Sequence, residues 1–205
     1  MEPERSLFQI YKSEEEKIQI IIHHVLLMLS RRIYIDKDRK KQPLMVLTED
    51  TQPEDKGDNT YTIKAKNGDK FAFKIVFQKI VTSGKQSALS EFIREYGSYK
   101  KIIIAKDYNN KIGDFALKHG IQIFRECTML QDIILYWDQP IFELLSPDEM
   151  EDVKAEYNLT PYTINKTIAK TDITVKYFGL KKNNIYRVIR YSPTSGYAIN
   201  YRIVS

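Results

Sequence analysis

Ile18, Ile21, Ile22, Val25, Leu26, Leu29 and Ile33 recur at spacings of three, four, seven and eight residues. That period predicts an amphipathic helix of about five turns. Ser13-Glu14-Glu15-Glu16 precedes it with the form of a capping box, Ser13 at the N-cap and Glu16 at N3. The pattern then changes. Residues 36–41 read as a charged loop, 43–47 as a short strand, and 48–60 as a polar loop holding Pro53 and Gly57. Residues 61–66 and 71–78 are β-rich and flank Asn67-Gly68, the dipeptide that favours a tight hairpin turn.

Leu89, Phe92, Ile93 and Tyr96 mark a second helix that closes at Gly97. In residues 101–106 the run Ile102-Ile103-Ile104-Ala105 is apolar on both faces, which predicts a central strand. A third helix through Ile112, Phe115, Ala116 and His119 ends at Gly120. A strand at 121–124 and a short helix at 129–135 come next. Strands alternating with helices predict an α/β layer domain, α+β overall once the tail is added.

Residues 140–145 read as a connector or edge strand. Ser146-Pro147-Asp148-Glu149 is a second capping box with proline at N1, opening a helix striped by Met150, Val153 and Tyr157. Asp172 can cap a short helix that Gly179 stops, and Asn183-Asn184 can turn the chain. Residues 185–191 and 197–204 then read as the strands of a hairpin around Pro193 and Gly196.

The wording of that tail is similar to a known pattern. Asp172, Tyr177, Gly179, Leu180, Lys181, Ile189, Arg190, Ser192, Thr194, Ser195, Gly196, Tyr201 and Arg202 stand in its order over about 30 residues. It resembles the C-terminal assembly module of the fifth common subunit of eukaryotic nuclear RNA polymerases, a module with a counterpart in the archaeal RNA polymerase. Ile173 departs from a family proline, Asn183 from a family glycine, and Tyr197 from a family arginine.

The resemblance implies residues 1–139 as an N-terminal jaw domain with an inactive restriction-endonuclease-like fold, and residues 140–205 as the assembly module. It implies a non-catalytic subunit of a DNA-dependent RNA polymerase. The module would dock on the largest subunit among the other polymerase subunits, and the jaw would lie beside downstream duplex DNA. Tyr177, Lys181, Arg187, Arg190, Tyr201 and Arg202 are then the expected docking residues. Asp172, Gly179 and Gly196 are structural turn positions, with Leu180, Ile185, Val188 and Ile189 as core. At the start of the third helix, Asn109, Asn110 and Lys111 are the candidate DNA contacts, since a helix N-terminus offers free N–H groups to phosphate.

Charge adds an asymmetry. From Thr160 onward there are eight Lys/Arg and one acid, Asp172, a net +7; the remaining residues carry 24 Lys/Arg against 26 acids, a net −2. A basic module seeks a polyanion or an acidic protein face. A stand-alone nucleic-acid-binding protein is therefore an alternative reading.

A second alternative is a Mg²⁺-dependent nuclease, which needs paired carboxylates and a lysine. In the natural strand Lys74 supplies the lysine, but Ala72 stands where the acid belongs, and Glu15-Glu16-Lys17 lies on a helix. No catalytic residue, cofactor or metal site is expected. His23, His24, His119 and the one cysteine, Cys127, lack metal-ligand spacing. A single cysteine fits a reducing compartment.

The start Met1-Glu2-Pro3-Glu4 lacks the basic region of a leader peptide, and the apolar run from Ile18 to Leu29 is too short to span a bilayer, so no membrane role is expected. Richness in Ile, Lys, Tyr and Asn suggests a viral copy working in the host cytoplasm and carried in the virion; a cellular copy would be nuclear.

Overall fold

Ser13 accepts from the Glu16 N–H at 3.2 Å and its own N–H donates to Glu16 Oε2 at 2.7 Å, so the first helix, α1 (Glu14–Arg31), starts at the predicted capping box. The computed structural model describes residues 12–35, 41–43, 52–65, 68–82, 84, 88–135, 139–160, 163–167 and 172–205. Helix α1 is five turns long, but Ile33 falls beyond it, in β1 (Ile33–Ile35), which pairs antiparallel with β2 (Lys41–Pro43). The predicted charged loop therefore loses Lys41 to a strand. Its other residues from 36, like most of the strand expected at 43–47, lie outside the described residues.

A five-stranded sheet forms the first core, in the order β3 (Glu54–Asp55), β4 (Thr60–Lys64), β5 (Lys70–Ile80), β6 (Lys100–Tyr108), β7 (Gln122–Arg125). Strands β3, β4 and β5 are antiparallel, while β5, β6 and β7 run parallel. The polar loop predicted over 48–60 thus contains β3 and gives Thr60 to β4. Glu54 and Asp55 are poor strand formers, and pairing with Thr62 and Tyr61 makes them a strand.

The β4–β5 turn has Gly68 at φ +85°, with Gly68 N–H donating to the Ala65 carbonyl at 3.0 Å. Strand β6 is central and buried on both faces, as its apolar run predicts. Phe71, Phe73 and Ile75 of β5 face α1, while Ala72 between them faces α2 (Ala88–Glu95) and α3 (Asn110–Lys118). Alternation along one strand therefore builds a three-layer helix–sheet–helix stack.

The short helix predicted at 129–135 is displaced. Helix α4 runs Glu126–Met129, directly after β7. Asp132 Oδ1 accepts from the Ile134 and Leu135 N–H groups at 3.1 and 3.3 Å, which turns the chain where a helix would need those donors.

A second sheet, of four strands, has the order β8 (Ile141–Leu144), β10 (Ile185–Ser192), β11 (Gly196–Val204), β9 (Asn165–Thr167). Strand β8 is an edge, as the sequence suggests, and β9 runs parallel to β11. Helix α5 (Pro147–Glu156) begins at its predicted capping box, with Ser146 N–H on Glu149 Oε2 at 2.7 Å. Its Met150 and Val153 pack on Leu145, Ile164 and Ile185 at one face of the sheet. Tyr157, the third residue of the predicted stripe, is 53% exposed beyond its end. Helix α6 (Ile173–Phe178) covers the other face through Val175, against Tyr186, Val188 and Val204.

Candidate functional site

The tail folds as its residues predict. Asp172 Oδ1 accepts from the Thr174 and Val175 N–H groups at 2.8 and 3.1 Å and caps α6. Gly179 ends the helix at φ +63°, and Asn183 takes φ +70° in the next turn. Asparagine tolerates this left-handed region, so the departure from glycine at 183 leaves the turn intact. Gly196 sits at φ +76° with nothing within 4 Å of a built Cβ. Its requirement is thus conformational alone, since a side chain there would meet no neighbour.

Helix α6 also joins the two sheets. Tyr177, with Ile173 and Phe178 beside it, packs into the core made by α1, β4, β5 and β6. Two adjacent arginines at the end of α1 hold it there. Arg31 donates to both oxygens of Asp132 at 2.7 Å each, and to the Tyr177 hydroxyl at 2.9 Å. Arg32 turns the other way. Its Nε donates to the Tyr177 carbonyl at 2.7 Å; its Nη2 donates to the Lys176 carbonyl at 3.1 Å and to Gln122 Oε1 at 2.7 Å.

The two carbonyls belong to the last turn of α6, where backbone acceptors have no partner within the helix and the helix end attracts a cation. Burial pushes the Arg32 guanidinium down to about 10, which leaves it charged at neutral pH. The hydrogen bonds to Asp132 hold Arg31 well above the usual arginine value, and those same bonds hold Asp132 below the usual carboxylate range. Near this seam Arg31, Phe142, Phe178, Leu180 and Tyr186 wall a cleft of about 360 Å³.

The expected docking residues do not form one patch. Tyr177 is 3% exposed and lies in the first core, so it is a packing residue; burial also pushes its hydroxyl up. Arg187 and Tyr201 are cross-strand partners on the face that α5 partly covers. Arg190 and Arg202 point to the opposite face, opposite Ala198 and Tyr186, and Lys181 is exposed in the α6–β10 turn.

Arg187 donates to Glu143 at 2.8 Å. Burial acts to lower its guanidinium, but the hydrogen bonds to Glu143 and Tyr201 outweigh that and hold it high. Glu143 precedes the basic stretch counted from Thr160. From Pro140 onward there are nine Lys/Arg against seven acids, so over this longer stretch the net charge falls to +2. Ile189, expected in the core, is half-buried on an open face.

At the start of α3, Asn109 caps: its Oδ1 accepts from the Ile112 N–H at 2.9 Å and its Nδ2 donates to the Val81 carbonyl at 3.1 Å. Asn110 and Lys111 are exposed beside it. Two residues earlier, Asp107 pairs with Lys79 at 2.9 Å and Arg125 at 3.1 Å, which together hold its carboxyl down at about 2. Lys74 pairs with Asp58, and Ala72 is fully buried against α2 and α3. The nuclease lysine is thus in an ion pair, and no acid stands at 72. His24 Nδ1 bonds the Met129 carbonyl at 2.7 Å and ties α1 to α4.

Arg31, Arg32, Asp132 and Glu143 are the residues that sequence reasoning missed. An arginine pair closing an amphipathic helix is a usable signal; an isolated Asp132 is none.

Comparison with known proteins gives a consistent picture. The family model described as RNA polymerase Rpb5, C-terminal domain, matches residues 131–204. DNA-directed RNA polymerase subunit 5 of Acanthamoeba polyphaga mimivirus is 50% identical over 205 residues, all of both chains. DNA-directed RNA polymerases I, II, and III subunit RPABC1 of Caenorhabditis elegans is 26% identical over 122 residues, 57% of each chain. DNA-directed RNA polymerase subunit Rpo5 of Methanocaldococcus jannaschii is 35% identical over 65 residues, 32% of this chain and 82% of that protein.

Proposed function

The chain belongs to the Rpb5 family of DNA-directed RNA polymerase subunits, and from that premise we propose a division of labour between its two sheets. It is a subunit of that nucleotidyltransferase complex with no catalytic site of its own. The observation that carries this is 50% identity along the full length of a viral polymerase subunit. Residues 140–205 dock on the largest subunit, and residues 1–139 form the jaw that lies beside downstream duplex DNA.

The match of the Rpb5 C-terminal domain model to residues 131–204 supports the first half, since that domain takes in nearly all of the second sheet and its helices. The start of α3 supports the second. Helix N–H groups with exposed Asn110 and Lys111 suit a phosphate contact, which would carry no sequence preference. The viral relative favours a copy that works in the host cytoplasm and enters the virion.

The test is a photo-crosslinker at position 110 in an assembled elongation complex. Labelling of duplex ahead of the bubble is the expected result. Labelling confined to protein places the jaw elsewhere.

A further inference from the structure

Ile189 pairs with Ile199 on one side and with Ile141 on the other. Residues directly opposite one another share a face of a sheet. Three isoleucines therefore lie side by side across β8, β10 and β11. Two residues along, on the same face, Tyr191 meets Tyr197 with ring centroids 6.1 Å apart. Four of these five side chains are mostly in solvent: Ile141 58%, Ile199 52%, Tyr191 75% and Tyr197 66%.

Helix α5 explains where the patch begins. It covers Ile185 and Ile203 of this face, and past its end Tyr157 packs on Tyr201 at 5.5 Å. Beyond the row of Arg187 and Tyr201 the sheet continues uncovered among the described residues. A contiguous apolar surface of this kind marks an interaction site more often than scattered exposed residues do.

We propose that this isoleucine–tyrosine face is the surface that seats on the largest polymerase subunit, against an apolar strip of that subunit. The proposal rests on the reading of residues 140–205 as the assembly module, and it names the face. Charge argues for a protein occupant. Among the described side chains beside the patch, the cation, Arg187, is answered by Glu143, while exposed Arg190 points to the other side. Phosphate finds no unpaired partner among these residues. The match to the Rpb5 C-terminal domain over 131–204 covers both faces of this sheet; it supports an assembly role, and the exposure of the apolar row selects the face. Tyrosine and branched aliphatic side chains give large contact area at low entropic cost.

The experiment uses the full chain in a reconstituted polymerase. Ile199→Asp with Tyr197→Ser is compared with Arg190→Ala with Arg202→Ala, and melting of each free chain is recorded. The first pair is expected to weaken retention by the largest subunit at least tenfold. If its melt falls, Ile199→Thr with Tyr197→Thr, which keeps strand-forming residues, must show the same loss. Loss in these variants supports the proposal whether or not the arginine pair contributes.

Wild-type assembly by both isoleucine–tyrosine variants overturns it, and crosslinkers at 190 and 197 then separate the causes. A link from 190 to a polymerase subunit leaves the assembly reading standing with the wrong face, and a link from 197 leaves it standing with a contact that carries no binding strength. No link from either removes the assembly reading too. A link from 197 to a second copy of this chain assigns the face to self-association.

Discussion

Arg32 donates through Nε to the main-chain carbonyl of Tyr177 at 2.7 Å, while its neighbour Arg31 reaches the hydroxyl of the same tyrosine. One residue of α6 is thus gripped at both ends from α1. The buried Arg32 guanidinium adds to the backbone cap at Gly179 by supplying a donor to the Tyr177 carbonyl. Removing it by Arg32→Ala strands the buried Tyr177 carbonyl and takes one donor each from Gln122 Oε1 and from the Lys176 carbonyl, which keeps the Gly179 N–H. The expected cost is about 1–3 kcal/mol, the scale of one unsatisfied buried group. Arg32→Lys should recover little, because a single ammonium cannot reproduce the fork. Urea unfolding of the full chain measures both; a cost below about 1 kcal/mol would mean other donors replace it.

Tyr177→Phe keeps the ring in the core and deletes only the acceptor for Arg31. It should cost about 1 kcal/mol of stability and leave polymerase assembly unchanged. An unaltered melt together with a clear assembly defect would return Tyr177 to the docking surface.

Asp132 gives a pH signature. Its carboxylate accepts two bonds from Arg31 and two from backbone N–H groups, so its folded pKa lies below the unfolded value of about 3.9. A depressed carboxylate stabilises fully above the unfolded value and loses that contribution as pH falls through the folded one. The stability difference between the wild type and Asp132→Asn should therefore stay flat at neutral pH and shrink below about pH 4. Denaturant titrations at stepped pH check this; a difference that grows in acid contradicts the pairing.

Gly179 and Gly196 separate two reasons for glycine. Both have positive φ, so alanine is strained at either by about 1–2 kcal/mol. At Gly196 the space is open, whereas at Gly179 a Cβ would lie 3.2 Å from Arg32 Nη1 and from Gln122 Nε2. Gly179→Ala should be the costlier by melting, because it also disturbs the buried guanidinium. Equal costs would show that the clamp shifts freely.

Lys111→Ala tests the jaw. If Lys111 meets a phosphate, its removal should reduce the salt dependence of downstream duplex binding by the assembled polymerase, with a slope change of about 1. An unchanged slope assigns Lys111 to solvent.

Much of the fold lay open in the sequence because its signals are local. Both capping boxes, the turn at Gly68, the apolar run of β6 and the caps of α6 are decided within a few residues; Asn67 itself lies outside the described residues. Their hydrogen bonds close over three or four positions. The strands of the terminal hairpin and the family pattern at Asp172–Arg202 are legible for the same reason. Three features needed tertiary structure. Strand β3 exists only because β4 offers it partners, and its own residues disfavour it. Tyr177 matched the family as a site residue, yet the core of the first sheet buries it, since α6 has one side on each sheet. The pairing of Arg187 with Glu143 and the row of Ile141, Ile189 and Ile199 come from strands far apart in sequence or joined by a hairpin. Alternation shows that two sets of side chains exist along a strand; only the placement of α5 and α6 decides which part of each set is left facing solvent.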